Sequence, residues 1–174
     1  MSEDTKKQSN ELEVLLMDLG KVILFSKENL PGKMNPRNKE LLKLHGPDYS
    51  FFDYFKVNEG LLSLLESVKD KYRIYMITEG VIQNNPLLKR QLQRVFDYEN
   101  IISTGALGLS KQSPEAYKRV VARLRTDPGK ILFIDDSTDN INAAKEVGLQ
   151  TLQCTSENQV VTDLKQKLGL EDLK

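Results

Sequence analysis

Several side chains that can take part in chemistry directly follow short, mostly apolar runs of the chain. They are Asp18, Thr78, Asp135 and Asp136, and Lys111 lies in a loop after a further such run. Short apolar runs bounded by polar residues are typical of strands buried on both faces, as in a parallel sheet. Because open α/β sheets bind ligands at the carboxyl ends of their strands, we expect these side chains to meet at one sheet edge.

The types of these groups fit phosphoryl chemistry around a metal ion. Three carboxylates at one edge cannot all stay ionised without a cation, and oxygen ligands without a nearby histidine favour Mg²⁺. A hydroxyl, loop amides and a lysine can hold a phosphate opposite that metal. A carboxylate can attack phosphorus and form an aspartyl-phosphate, while Mg²⁺ and lysine spread the charge of the transferring group.

Each of these residues also has a simpler interpretation when it is taken alone. Asp18 could terminate a strand, Thr78 could cap a helix, and Lys111 could be a surface lysine. The acidic pair at 135–136 could be a turn followed by a helix cap. It is much less plausible that all these simpler interpretations hold at once for groups at the same sheet edge.

Strand and helix patterns alternate along most of the chain. After the first strand at 14–17, strands are predicted at 72–77, 101–104, 130–134 and 149–153. Helices are predicted at 58–68, 86–95, 113–124, 137–147 and 157–168. This alternation predicts an α/β fold with a doubly wound parallel sheet, in which right-handed crossovers bring neighbouring strand ends to one edge.

The pattern divides the chain into a tail, a core and an insertion. Residues 1–13 are predicted to form a flexible N-terminal tail, 14–24 and 58–174 the α/β core, and 25–57 a short cap-like insertion. Proline and glycine interrupt the insertion often. Within it we expect a helix at 37–44 with Leu41, Leu42 and Leu44 facing inward. An aromatic cluster at 51–55 is expected to pack internally, although it could also form a lip over a pocket.

Composition excludes several classes of protein. The 174 residues suit one domain, and 39% hydrophobic with 29% charged residues is an ordinary soluble profile. The formal net charge of zero gives no footprint for nucleic acid or an anionic membrane, and no apolar run could span a bilayer. Cys154 and His45 are single, so neither an internal disulfide nor a Cys/His zinc site is expected. The N-terminal segment lacks the apolar core of a signal peptide, which predicts a cytoplasmic protein.

Four segments, in this order, resemble the motifs of the haloacid dehalogenase-like (HAD) hydrolases. They are Asp-Leu-Gly-Lys-Val at 18–22, Ile-Thr-Glu-Gly at 77–80, Gly-Leu-Ser-Lys-Gln-Ser-Pro-Glu-Ala-Tyr at 108–117 and Phe-Ile-Asp-Asp-Ser-Thr-Asp-Asn at 133–140. The resemblance runs from about residue 14 to residue 155. It implies a Rossmann-like core and an enzyme that hydrolyses a small phosphate monoester.

The resemblance also implies a role for each motif residue. Asp18 would be the nucleophile and a metal ligand, and Gly20 would offer the metal its backbone carbonyl. The expected phosphate-binding groups are Thr78, the amides of Glu79 and Gly80, Lys111, which would bridge Asp18 and the phosphate, and Lys21. Asp136 would hold Mg²⁺, with Asp135 beside it and Asn140 in support.

Two positions depart from the usual pattern of the family's phosphatases. Gly20 stands where they have a second aspartate that acts as general acid and base, although a branch with Asp-Leu-Gly-Asn-Val or Asp-Leu-Gly-Gly-Val lacks it too. Lys21 stands where that branch has Asn or Gly, and it could crowd the pocket or supply a proton. Protonation of the leaving group is worth on the order of 10²–10⁴ in rate, so its source matters here.

Four functions can therefore be compared from the sequence. The leading prediction is a Mg²⁺-dependent phosphatase acting on a small phosphorylated metabolite. A non-catalytic or weakly active relative that binds a phosphorylated ligand or a partner protein is the alternative. A dehalogenase needs no metal, which makes the acidic pair at 135–136 unexpected, and a phospho-acceptor receiver domain carries its paired acids at the first strand rather than the last.

Overall fold

A five-stranded parallel sheet forms the centre of the molecule. The computed structural model describes residues 11–28 and 34–170. The strands are β1 (Val14–Met17), β2 (Leu24–Ser26), β3 (Phe55–Val57), β4 (Arg73–Thr78), β5 (Ile101–Ser103), β6 (Ile131–Asp135) and β7 (Gln150–Gln153). The main sheet has the order β5-β4-β1-β6-β7, and β2 and β3 form a separate antiparallel pair. The predicted α/β fold with a doubly wound parallel sheet is confirmed.

Helices connect the strands and cover both faces of the sheet. They are α1 (Met34–His45), α2 (Phe51–Tyr54), α3 (Glu59–Val68), α4 (Pro86–Leu92), α5 (Pro114–Leu124), α6 (Thr138–Glu146) and α7 (Glu157–Lys167). The side chains of Asn58, Asn85, Ser113 and Ser137 accept hydrogen bonds from backbone amides in the first turns of α3, α4, α5 and α6. These caps stand where the sequence predicts each helix to begin. None of the helices in the described residues is long and apolar enough to cross a membrane.

Strand β1 is central because its residues are apolar on both faces. All four are fully buried, and β1 pairs with β4 on one side and β6 on the other. Leu15 and Met17 pack in the layer that contains α3 and α7, while Val14 and Leu16 pack in the layer with α5 and α6. Successive side chains of a strand alternate between its faces, so a continuous apolar run stabilises both layers.

Glu13, the last residue of the predicted tail, is hydrogen-bonded to the sheet. Glu13 donates its backbone N–H to the carbonyl of Lys130 at 2.9 Å and accepts from the amide of Arg73 at 3.0 Å. These bonds continue the pairing of β1 with β4 and with β6 by one residue, so Glu13 is part of the sheet. Residues 1–10 of the predicted tail lie outside the described residues.

The insertion between β1 and α3 is built on the antiparallel pair β2 and β3. Leu24 pairs with Val57, and helices α1 and α2 lie between these two strands in the chain. The expected internal packing of the aromatic cluster is confirmed for Phe51 and Phe55, which are fully buried with ring centroids 4.7 Å apart.

One expectation about the insertion was wrong. Helix α1 buries Leu41, but Leu42 is 37% exposed and Leu44 is 67% exposed. The helix lies at the surface and buries Met34, Asn38 and Leu41, a narrow strip at spacings of three and four residues. Leu42 and Leu44 lie outside that strip and therefore face solvent.

Candidate active site

Asp18 lies directly beyond β1, at the carboxyl edge of the sheet. Its backbone N–H donates to the carbonyl of Ile134 in β6 at 2.8 Å, which fixes the position of the residue between two strands. The residue is only 7% exposed. Its Oδ1 accepts a hydrogen bond from Nζ of Lys111 at 2.6 Å. The predicted contact between the candidate nucleophile and this lysine is therefore present, across 93 residues of chain.

Asp135, the last residue of β6, is the second carboxylate of this cluster and is completely buried. Its oxygens accept bonds from Lys111 Nζ at 3.0 Å, the Ser137 amide at 2.8 Å and Asn140 Nδ2 at 3.0 and 3.1 Å. Asn140 therefore supports the site by orienting Asp135. Lys111 bridges two buried carboxylates, which offsets the cost of removing all three charges from water.

Asp136 completes a trio of carboxylates. One oxygen from each of Asp18, Asp135 and Asp136 lies within 4.8 Å of the others. This donor set contains only oxygen, which suits a hard cation such as Mg²⁺ rather than a soft transition metal. Asp135 already accepts four hydrogen bonds, so it could bind a cation only by giving one of them up.

The electrostatics of the cluster reflect its burial. Burial, which is the largest cause, and the charge of Asp135 together raise the pKa of Asp18 from 3.8 to about 7, although Lys111 acts in the opposite direction. Burial alone would lower the pKa of Lys111, but the two carboxylates outweigh this effect and raise it. Burial also raises the pKa of Asp136. A cation bound among these carboxylates would favour their ionised forms.

Thr78 and Glu79 form the neighbouring wall, at the end of β4. Thr78 is buried, and its Oγ1 lies 3.5 Å from Oε1 of Gln83. The carboxylate of Glu79 accepts a hydrogen bond from the backbone N–H of Lys111 at 2.6 Å. Glu79 thereby ties the Thr78 loop to the loop that carries the lysine. The sequence assigned only its amide a role, because a side-chain bond to a loop 32 residues away leaves no local pattern.

Gly105 allows the loop after β5 to approach this wall closely. A Cβ added at Gly105 would lie 2.1 Å from the backbone carbonyl oxygen of Glu79. Real Cβ atoms do not approach oxygen that closely, so only glycine fits without a shift of the backbone.

Lys21 lies in the tight turn between β1 and β2 with φ of 59°, a left-handed conformation that is uncommon for a lysine. Its amide donates to the carbonyl of Leu24 at 2.7 Å. The side chain is half-exposed, and its Nζ lies 4.0 Å from Asp136. Lys21 lines the cavity, as predicted, beside the carboxylate trio.

Two residues of α1, which the sequence did not single out, close the remaining side. A Cβ added at Gly20 would lie 3.6 Å from Cγ of Met34. Oδ1 of Asn35 accepts hydrogen bonds from the amides of Val81 at 3.0 Å and Ile82 at 2.9 Å. Both contacts depend on how the insertion folds back over the sheet edge, so no local signal in the sequence could have revealed them.

These groups enclose a cavity of about 300 Å³. Its lining includes every predicted site residue except Gly80 and Asp135. The lining residues come from the end of β4, the segments that follow β1, β4 and β6, the Lys111 loop, and helices α1 and α6. They are Asp18, Leu19, Gly20, Lys21, Met34, Asn35, Thr78, Glu79, Ile82, Ser110, Lys111, Gln112, Asp136, Ser137 and Asn140. The cavity is large enough for a phosphate ester of a small metabolite.

A family model matches most of the chain. The model of the haloacid dehalogenase-like hydrolases matches residues 14–148. The chain belongs to this family. The predicted membership of this family is thus confirmed, and the four segments of this HAD-like hydrolase that resemble the family's motifs lie at the carboxyl edge of its sheet.

Two curated relatives of this HAD-like hydrolase are phosphatases. A sesquiterpene phosphatase of Aspergillus oryzae is 27% identical over 111 residues, which cover 63% of this chain and 56% of the relative. A phosphorylated carbohydrates phosphatase of Thermotoga maritima is 30% identical over 105 residues, covering 59% of this chain and 48% of the relative. The chain therefore aligns with about half the length of these relatives.

Solved structures share the fold at lower identity. A predicted HAD-like family hydrolase from Porphyromonas gingivalis has a TM-score of 0.64 at 13% identity, covering 90% of this chain and 98% of its own. A HAD family enzyme from Bacteroides thetaiotaomicron, in complex with magnesium and inorganic phosphate, has a TM-score of 0.57 at 18% identity and covers 82% of this chain and 93% of its own.

Proposed function

We propose that this HAD-like hydrolase is a Mg²⁺-dependent phosphatase that acts on a small phosphorylated metabolite through an aspartyl-phosphate on Asp18. The observation that carries the proposal is the contact of Asp18 with Lys111 inside a trio of carboxylates on the cavity wall. Neighbouring nucleophilic, cationic and metal-binding groups are what phosphoryl transfer to a carboxylate requires.

The residues of the chain have distinct tasks in this mechanism. Mg²⁺ would be held by Asp18, Asp136 and the carbonyl of Gly20, with Asp135 behind them, and it would neutralise charge on the phosphoryl group. An oxygen of Asp18 attacks phosphorus. Lys111 stabilises the charge that develops on the phosphoryl oxygens, since it is held within 2.6 Å of the attacking carboxylate.

The wall at the end of β4 would bind the phosphate. The hydroxyl of Thr78 and the amides of Glu79 and Gly80 supply neutral donors, while Lys111 and Lys21 supply positive charge. Water then attacks the aspartyl-phosphate, which releases inorganic phosphate and regenerates Asp18. The two phosphatase relatives and the neighbour crystallised with magnesium and phosphate support this assignment.

A binding protein for a phosphorylated ligand is the second candidate, and one observation favours it. The position of Gly20 carries no acid or base, and Met34 lies against it. Without a proton donor at that place, turnover of an unactivated ester would be slow.

The test is Asp18→Asn with a chromogenic phosphate ester, with and without Mg²⁺. We expect hydrolysis by the wild type to require Mg²⁺ and the variant to lose at least ~10³-fold in rate, because an amide cannot attack phosphorus. Asp70→Asn is the matched control, since Asp70 is exposed and lies away from the cavity. Equal turnover by wild type and Asp18→Asn would contradict the proposal.

A further inference from the structure

The leaving-group side of the cavity is poor in proton donors, and this bears on the substrate class of the proposed phosphatase. When an alkyl phosphate is cleaved, the departing oxygen becomes an alkoxide unless a neighbouring acid protonates it. An aryl, enol or acyl oxygen departs as a stabilised anion and needs no such acid. The groups that line the cavity therefore decide which esters can react.

The wall formed by α1 carries no ionisable side chain. A Cβ placed at Gly20 would be in van der Waals contact with Met34, which is itself buried. Asn35 is an uncharged amide whose oxygen is occupied by the N–H groups of Val81 and Ile82. The thioether and the amide can contact a substrate, but neither transfers a proton near neutral pH.

The acids and bases elsewhere in the described residues are committed or distant. Lys111 bridges Asp18 and Asp135, and Glu79 holds the backbone of Lys111. His45, the one histidine of the sequence, ends α1 and stacks on Tyr54, and it does not line the cavity. The stretch 29–33, which precedes Met34, lies outside the described residues, and Lys33 is its one ionisable residue.

Among the described residues that line the cavity, the ionisable groups still to be considered are Asp136, which is assigned to Mg²⁺, and Lys21. Its ammonium lies 4.0 Å from Asp136 and is half-exposed. This position places its charge beside the carboxylate trio, where it balances negative charge and attracts an anionic substrate.

From this distribution we propose that the site selects phosphoryl donors whose leaving oxygen departs as a stabilised anion, and that it discriminates against simple alkyl phosphates. In the first step a bond forms between Asp18 and phosphorus while the bond from phosphorus to the leaving oxygen breaks. The electron pair leaves on that oxygen, which takes no proton from the protein. Water then displaces Asp18 from phosphorus, and its proton passes to solvent. The inference rests on the proposed phosphatase function.

The experiment compares three monoesters of similar size on the wild-type protein with Mg²⁺: 4-nitrophenyl, phenyl and benzyl phosphate. We expect kcat/KM to fall steadily along this series, with the nitrophenyl ester favoured over the benzyl ester by about 10²–10⁴, the usual worth of a general acid. Equal kcat/KM for all three esters would overturn this inference and leave the phosphatase proposal standing. No hydrolysis of any of them would instead count against the phosphatase itself.

Two variants locate the cause. Gly20→Asp combined with Met34→Ala places a carboxyl group in the space that Met34 now fills, and it should raise kcat/KM for the benzyl ester at least ~10-fold more than for the nitrophenyl ester. Gly20→Ala with Met34→Ala is its matched control, because it opens the same space without an acid. An equal response of both esters to the two double variants would contradict the assigned role of this wall.

Lys21→Met tests the competing source of the proton. If Lys21 acts through charge alone, all three esters lose the same factor in kcat/KM and the preference is unchanged. If Lys21→Met lowers kcat/KM for the benzyl ester at least ~10-fold more than for the nitrophenyl ester, Lys21 protonates the leaving group. That result would overturn the proposal. Circular dichroism and the thermal unfolding midpoint of each variant confirm that it is folded.

Discussion

The two sides of the cavity are built in opposite ways. The sheet edge contributes a buried network of charges, in which Lys111 holds Asp18 and Asp135 across three separate segments of the core. The insertion contributes Met34 and Asn35, which are uncharged and contact the core through van der Waals packing and two hydrogen bonds. On the proposed mechanism, the parallel sheet would position the reacting groups, and the insertion would shape the space around the leaving group.

The difference follows from the cost of burying charge. An ionised group in the interior must be paired, and removing one partner leaves the others uncompensated. The charged side is therefore held rigidly, whereas the uncharged side can change without a large electrostatic penalty. We expect substitutions at the sheet edge to affect stability and chemistry together, and substitutions in α1 to affect mainly the choice and binding of substrate.

Lys111→Met should have the largest effect. It leaves Asp18 and Asp135 buried without a cation, so the free energy of unfolding in the absence of Mg²⁺ should fall by about 3–5 kcal/mol, and hydrolysis should be lost. Urea denaturation and phosphate release measure the two effects. Lys118→Met, on the exposed face of α5, is the control and should change stability by less than about 0.5 kcal/mol. A Lys111→Met protein as stable as the wild type would contradict the expectation that substitutions at the sheet edge affect stability and chemistry together.

The pH dependence of the free energy of unfolding should depend on the same charged groups at the sheet edge. Because the pKa of Asp18 is raised to about 7 in the folded state, the unfolded chain loses this proton first as the pH rises from about 4. Between pH 4 and 7 the folded state binds more protons, so the stability of the metal-free protein should fall, by up to about 1.4 kcal/mol per pH unit. Urea denaturation at several pH values measures the slope. Asp18→Asn should flatten it and Asp70→Asn should not.

Two glycines offer a direct comparison of rigid and adaptable neighbours. Gly105→Ala forces a Cβ against the backbone carbonyl of Glu79, which cannot move without disturbing the loop, and should cost about 1–3 kcal/mol. Gly80→Ala meets the side chain of Asn35, which can rotate away only by releasing the amides of Val81 and Ile82. Because no backbone has to move, the loss should be smaller than at Gly105. Thermal unfolding measures both. Gly60→Ala in α3, where a Cβ makes only ordinary contacts, is the control, and the reverse order for the two test glycines would contradict this interpretation.

Asn35→Ala should have the smallest effect on stability and a clear effect on binding. It removes the acceptor of the Val81 and Ile82 amides, which loosens the loop that follows Gly80. We expect KM for 4-nitrophenyl phosphate to rise by about 5–10-fold, equivalent to about 1 kcal/mol, with little change in kcat. Arg37→Ala is the control, because Arg37 is a partly exposed residue of the same helix that pairs with Glu40 and does not line the cavity. A large fall in kcat with unchanged KM would instead group Asn35 with the charged residues at the sheet edge.

Sequence reasoning reached the sheet edge because its signals are local. The fully apolar run at 14–17 predicts a strand buried on both faces, and the caps at Asn58 and Ser137 mark where helices start. Once the strands are parallel, their carboxyl ends must share an edge, so Asp18, Lys111 and Asp136 could be placed together. The assignment of catalytic roles to them remains a prediction until the variants are measured.

The insertion was harder to predict for the opposite reason. Strands β2 and β3 have only three residues each, too few to show a clear alternation. The contacts of Met34 and Asn35 join segments distant in sequence, and the exposure of Leu44 depends on how much of α1 reaches the core. Each of these features is decided by tertiary packing rather than by local propensity.

The pairing of Leu24 with Val57 brings the two ends of the insertion next to each other. The chain leaves and re-enters the core at neighbouring points, and the amide of Asn58 bonds to the carbonyl of Ile23 at 2.7 Å just inside this junction. A segment of different length or composition can be spliced between these points while the ladder that holds Asp18 stays intact. The fold thereby allows the segment beside the cavity to change independently of the carboxylates and the lysine at the sheet edge.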